Sequence, residues 1–199
     1  MKNKVKRIAI FASGSGSNAE KIIVYFKNRK DVKIEAVYSN RKNAMALKRA
    51  DNQGVISIQF NKTQFLETLE IIEDLKRKKI DLIVLAGFLL LVPHSFVEAF
   101  PNRIVNIHPA LLPKYGGKGM YGNHVHKAVS ENGDSVTGIT VHFVNHEFDK
   151  GEIIAQIKCV IVPNETPERI ASKVLKVEHL YYPLIIDQVL ANINVEEFE

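Results

Sequence analysis

The chain has 199 residues, 46% of them hydrophobic and 25% charged, with 27 Lys and Arg against 22 Asp and Glu. That composition suits one globular domain with a sizeable core, and the formal charge of +5 favours anionic partners: nucleic acid, phosphorylated metabolites or polycarboxylates. The single cysteine, Cys159, excludes an intramolecular disulfide and a multi-cysteine zinc site, and the longest apolar run, Leu82 to Val92, is too short to cross a membrane.

Lys6 to Ala12 (KRIAIFA) reads as a short apolar strand. The stretch Met1 to Arg7 is basic, but Ile8 to Ala12 is too short for a signal peptide, so a reducing, cytoplasmic setting is expected. Ser13 to Asn18 (SGSGSN) is a loop, and Ala19 to Phe26 is a helix with Ile22, Ile23 and Phe26 on one face. Lys33 to Ser39 is a second strand, Ala44 to Gln53 a helix that Gly54 ends, and Val55 to Phe60 a short strand. The spacing over Gln64 to Lys78 predicts one amphipathic helix burying Phe65, Leu69, Ile72 and Leu75. The densest basic run, Lys76 to Lys79, closes that helix, where cations suit the dipole and solvent. No aromatic residue interleaves it, so it reads as a solvated helix end and not as a nucleic-acid patch. Ile80 to Ala86, apolar apart from Asp81, is a strand of the kind covered on both faces; a short helix follows Pro93, and Arg103 to Ile107 is a further strand.

Alternating strands and helices predict right-handed crossovers and a mainly parallel sheet. Thr137 to Val144 and Glu152 to Val162 are joined by a short link and read as an antiparallel hairpin, so the sheet is mixed. Cys159 sits in that second strand as a small buried hydrophobe. Thr166-Pro167-Glu168 starts a long final helix with an N-cap, a first-turn proline and an acid; it runs to about Leu190, with Pro183 a place for a bend. The chain has no repeat, low-complexity tract or linker.

Gly14-x-Gly16-x-x-Ala19 follows a strand and opens a helix, a pattern that lets backbone N–H groups approach an anion. It also matches the dinucleotide fingerprint. That reading expects an acid after the second strand, whereas the chain has Ser39-Asn40-Arg41-Lys42, which suits only a 2′-phosphate. Phosphate binding is the better reading, beside a plain tight turn.

Residues two apart on a strand face one way, so Asn106 and His108 project together and Ile107 points to the opposite face. Pro109 helps end the strand, and sites in open α/β sheets form at such carboxyl ends. An amide donor and an imidazolium both suit a developing oxyanion, and a carboxylate would orient and charge the imidazole. Asp149 is the natural candidate, with Asp134 and Glu147 as rivals; Asp149-Lys150-Gly151 reads equally as a simple turn.

SGSGSN at 13–18, VLAGFLLLVP at 84–93, NIHPALLPKY at 106–115, GITVHFVNHEFDKG at 138–151 and EHLYYPL at 178–184 occur in that order. Together, from about Arg7 to about Leu190, they resemble the folate-dependent phosphoribosylglycinamide formyltransferases of the formyltransferase superfamily. The resemblance implies a three-layer, Rossmann-like α/β fold, mainly parallel with an antiparallel hairpin in its C-terminal part. It implies one domain over 1–199, with a phosphate-binding half at about 1–100 and a catalytic and folate-binding half at about 101–190. The implied catalytic residues are Asn106, His108 and Asp149. The ribonucleotide would lie against Gly16, Ser17, Asn18 and Glu178, and the folate against Leu89, Leu90, Leu91, Val92 and Asn106. Leu90 stands where the family often has a basic residue, and Lys62 is the nearest basic counterpart of another family cation. The formyl donor implied is 10-formyltetrahydrofolate, with no metal; partners are small molecules rather than nucleic acid or membrane, and the protein is a monomer or homodimer.

Three other readings differ in what they leave unexplained. Methionyl-tRNA formyltransferases carry a further C-terminal domain, for which 199 residues leave no room. Formyltetrahydrofolate hydrolases carry an N-terminal regulatory domain, whereas the first strand here starts at about Lys6. An NADP-binding module accounts for the glycines and Arg41-Lys42 but not for Asn106, His108 and Asp149. The loop from Lys114 to Asn123 reads as a mobile flap near both substrates, or equally as a solvated loop.

Overall fold

The structure is a computed structural model that describes residues 5–193, so the basic stretch from Met1 lies partly outside it. Seven strands among the described residues form one sheet in the order β3-β2-β1-β4-β5-β6-β7. β1 (Lys6–Phe11), β2 (Val32–Ser39), β3 (Ile56–Gln59), β4 (Leu82–Leu85) and β5 (Ile104–His108) pair in parallel. β6 (Val136–Phe143) lies antiparallel to β5, and β7 (Ile153–Val160) antiparallel to β6. The mixed sheet read from the sequence is thus present.

Seven helices accompany these strands among the described residues: α1 (Ser17–Phe26), α2 (Met45–Asn52), α3 (Lys62–Leu66), α4 (Glu70–Arg77), α5 (His94–Ala99), α6 (Asn123–Glu131) and α7 (Pro167–Asn192). Side-chain alternation along β1 splits the interior into two cores. Ile8 and Ile10 pack with residues of α1, α2, α6 and α7, whereas Ala9 and Phe11 pack with residues of α3, α4 and α5. Helices therefore cover both faces of the sheet, giving three layers. The second core is aromatic: Phe11 stacks on Tyr38 with centroids 4.8 Å apart and meets Phe60, Phe65, Phe88 and Phe96. Phe88 anchors there the loop that leaves β4.

Two expectations are corrected, and one helix is added where none was read. The single helix over 64–78 is two helices. Asn61 caps α3 through a capping box with Gln64; the Thr68 hydroxyl then donates to the Gln64 carbonyl at 2.9 Å and accepts from the Glu70 N–H at 3.3 Å. A side chain that bonds the backbone on both sides ends one helix and starts the next. The break shifts the helical phase, so Leu69 is 55% exposed and Ile71 is buried with Ile72 and Leu75. The added helix, α6, falls in a stretch left unassigned by the sequence reading; it buries Val125, His126 and Val129 and ends at Asn132-Gly133. Secondly, Cys159 is half-buried, because β7 is an edge strand.

α7 starts as its residues predict, with Thr166 Oγ1 accepting from the Arg169 N–H, and continues through Pro183. Tyr182, fully buried beside that proline, donates its hydroxyl to the Leu85 carbonyl at 2.9 Å and so ties α7 to the end of β4. In the hairpin, Gly138 lies so close to β7 that a Cβ there would overlap the Ile157 carbonyl oxygen. Neither backbone can yield without breaking the ladder. Gly138→Ala is expected to lower the unfolding free energy by about 1–3 kcal/mol, read from urea midpoints at constant slope; an unchanged midpoint would contradict the close approach.

Candidate active site

The strand order reverses between β1 and β4, and the loops leaving β1, β4 and β5 converge at their carboxyl ends. A cavity of about 750 Å³ opens there. Its wall includes Gly16, Ser17 and Asn18 from the end of the first loop and the start of α1, Leu89 to Val92 from the loop after β4, and Asn106, His108, Asp149 and Glu178. The structure therefore brings together every candidate site residue except Lys62, which opens α3 and is not part of the wall. Arg41 and Lys42, the cations of the dinucleotide reading, lie outside the wall as well.

The glycine loop has its shape for a steric reason. Gly16 adopts φ +72, and a Cβ there would overlap Ala46 on α2. No side chain caps α1, so its first N–H groups remain open to an anion. Arg49 on α2 donates Nε–H to the Ser15 carbonyl at 3.0 Å and pairs with Glu20. Ser13 donates its hydroxyl to Asn40 at 2.7 Å and accepts from the Leu89 N–H at 3.1 Å, tying this loop to the one after β4. Asn18 Nδ2 donates to Glu178 at 2.6 Å, while its buried Oδ1 has no partner among the described residues. Burial pushes the Glu178 carboxyl above its usual value, and the Asn18 bond opposes that.

β5 delivers Asn106 and His108 to one face, and Ile107 packs into the opposite core. Antiparallel pairing sets His142 directly across from Asn106. His142 gives its Nδ1–H to the Phe143 carbonyl at 2.8 Å, and its Nε2, which accepts one amide N–H when the ring is neutral, lies 3.1 Å from the Asn106 amide nitrogen. The second Asn106 N–H is then left for the cavity. Asp149 sits in the turn between β6 and β7 at φ +55. Its Oδ2 lies 3.5 Å from His108 Nδ1 and accepts the Gly117 N–H at 2.9 Å, and its Oδ1 lies 3.6 Å from His142 Nε2. His108 gives its Nε2–H to the Tyr115 carbonyl at 2.7 Å.

Of the carboxylates open in the sequence, Asp149 alone pairs with His108 among the described residues. Asp134 binds Tyr115, Asn132 and Lys114, and Glu147 pairs with Lys150. The sequence reading missed two histidines of the wall. His142 stands in a quoted motif, but only the β5–β6 register reveals that it faces Asn106. His126 belongs to the unassigned α6; it is buried, and its Nδ1 has no partner among the described residues. In the glycine-rich loop, Gly117, Gly119 and Gly122 have positive φ, which favours glycine, and Lys118 reaches the wall.

Burial pushes the His108 imidazole below its usual pKa, the Asp149 charge and the Tyr115 carbonyl pull it back up, and His142 opposes them. Burial also pushes Asp149 upward, but His142, His108 and the Gly117 N–H outweigh it and hold the carboxyl below the usual range. A depressed carboxyl pKa contributes stability above the unfolded value, about 3.9, that is lost as pH falls through the folded value. The stability gap between the wild type and Asp149→Asn is therefore expected to narrow as pH falls below about 4. A gap that stays constant in urea titrations across that range would contradict the assignment.

Residues 6–186 match the family model described as formyl transferase. The chloroplastic phosphoribosylglycinamide formyltransferase of Arabidopsis thaliana is 39% identical over 193 residues, covering 92% of this chain and 65% of that protein. The phosphoribosylglycinamide formyltransferase of Escherichia coli K12 is 37% identical over 186 residues, covering 90% of this chain and 84% of that protein. The chain thus spans less than two thirds of the plant relative but most of the bacterial one. The crystal structure of phosphoribosylglycinamide formyltransferase from Bacillus halodurans superposes with a TM-score of 0.85 at 33% identity, covering 98% of this chain and all of that one. On its own sequence, its fold and these matches, the chain belongs to the formyl transferase family.

Proposed function

We propose that the protein transfers the formyl group of 10-formyltetrahydrofolate to the amine of N1-(5-phosphoribosyl)glycinamide in purine synthesis. The products are the N2-formyl compound and tetrahydrofolate. The observation that carries this reading is one cavity joining an uncapped helix start, fit for a phosphate, to an amide, an imidazole and a carboxylate, fit for acyl transfer. Relatives bearing that name at 37–39% identity support it. The donor also fits the wall, where the apolar loop from Leu89 to Val92 runs beside Asn106. Among the described residues no group of side chains could hold a metal ion.

The bound donor supplies an activated formyl carbon to the attacking amine. The N–H groups at the start of α1 would hold the phosphate, and Glu178 with Asn18 would orient the ribonucleotide. The free N–H of Asn106 donates to the formyl oxygen as negative charge develops there. His108 acts through the charge of its imidazolium, whose two N–H groups are held by Asp149 and the Tyr115 carbonyl. The Asp149 charge and the Tyr115 carbonyl favour that charged form against burial, which on balance still lowers the His108 pKa. Asp149 stabilises the imidazolium and takes part in moving the amine proton toward the departing folate nitrogen.

The chain would act as one unit, with the phosphate site in residues 1–100 and the catalytic groups in 101–190. A cytoplasmic setting and a monomer or homodimer complete the reading; no described helix is long and apolar enough to cross a membrane. A folate hydrolase would use the same constellation without an acceptor. His108→Ala and Asp149→Asn are each expected to lower kcat by roughly 100- to 1,000-fold with the fold intact. Tetrahydrofolate release is to be followed with and without the ribonucleotide. Near-normal transfer by either variant would remove its residue from the mechanism, and release without acceptor would mark a hydrolase.

A further inference from the structure

Asp134, read in the sequence as a rival partner for His108, holds a different position. It lies in the turn between α6 and β6, and its Oδ2 accepts the Tyr115 hydroxyl at 2.8 Å. Asn132 donates to its other oxygen at 2.8 Å, and Lys114 approaches at 3.3 Å. Burial pushes the Asp134 carboxyl up, but the Tyr115, Asn132 and Lys114 contacts outweigh it. The hydroxyl therefore donates to a charged acceptor, the stronger kind of hydrogen bond.

Tyr115 has φ +56, a left-handed conformation that residues with a Cβ adopt only when their surroundings hold them. Its neighbour Gly116 is closely packed, since a Cβ there would reach Leu112. The segment held this way touches both members of the catalytic pair. The Tyr115 carbonyl accepts from His108 Nε2 at 2.7 Å, and the Gly117 N–H donates to Asp149 Oδ2 at 2.9 Å. With acceptors at both nitrogens, Asp149 at one and Tyr115 at the other, only the imidazolium satisfies His108 completely.

We propose that Tyr115 and Asp134 are positioning residues for formyl transfer: their side-chain bond, outside the substrate cavity, fixes the backbone that holds His108 and Asp149. Their catalytic effect rests on the transferase reading above, while their effect on His108 does not. Four groups face that ring: Asp149 from the β6–β7 turn, His142 from β6, His126 from α6 and the Tyr115 carbonyl. Releasing the carbonyl removes one of the two contacts that favour the charged form.

The test is an NMR titration of isotope-labelled histidine in the full chain without substrate, for the wild type, Tyr115→Phe, Asp134→Asn and Lys114→Ala. Exposed His94 serves as an internal reference. His108 is expected to titrate at lower pH in Tyr115→Phe and Asp134→Asn. It is expected to stay in place in Lys114→Ala, which removes only the exposed cation. In the transfer assay, kcat of the first two variants is expected to fall roughly tenfold, with KM for both substrates within about twofold. An unmoved His108 in either folded variant overturns the proposal. Unfolding of both also overturns it, because the bond would then specify the fold and not the site. A wild type inactive in transfer would defeat the transferase reading alone, since the titration still decides the tether.

Discussion

Asp149 lies between two imidazoles, 3.5 Å from His108 and 3.6 Å from His142, with a backbone N–H on the oxygen nearer His108. A buried carboxylate without partners would take up a proton, and a buried imidazole without partners would lose one. Here the contacts of Asp149 outweigh its burial and hold it charged, while its charge and the Tyr115 carbonyl work against the burial that lowers the His108 pKa. Asn106 gains its orientation from His142 at 3.1 Å, and the amide, the two rings and the acid lie against one another as one polar cluster. Within the proposed mechanism, charge developing on the formyl oxygen would meet groups already in place, and little reorganisation would be needed during reaction.

The fold exists around this unit in a specific sense. Parallel strands β1, β4 and β5 bring their carboxyl ends to one edge, which collects the glycine loop, the apolar loop and the Asn106–His108 pair. Antiparallel β6 then runs back along β5, which sets His142 opposite Asn106 and leaves Asp149 in the next turn. Close packing sharpens the result: Gly16 yields to Ala46, and Gly138 to the β7 backbone.

Much of this was legible in the sequence because it rests on local rules. Period-two alternation put Asn106 and His108 on one face, and the SGSGSN loop announced a helix start whose N–H groups could approach an anion. The β6–β7 hairpin and the capped start of α7 were equally plain. What escaped depends on tertiary placement. His142 needed the β5–β6 register, and α6 follows a glycine run and buries a histidine that disguises its apolar face. The break at Thr68 arises from a side-chain bond that competes with the helix, which periodicity does not register. Choosing Asp149 over Asp134 required the resemblance; the structure explains the choice, because Asp134 is committed to Tyr115.

The most direct test of the account is a crystal structure with the ribonucleotide and a folate analogue that cannot release its acyl group. The phosphate is expected at the N–H groups of Gly16 to Asn18, and the acyl oxygen within hydrogen-bond distance of Asn106 Nδ2, with Asp149 still paired to His108. An acyl group remote from Asn106 and His108, or a phosphate bound away from the start of α1, would contradict it.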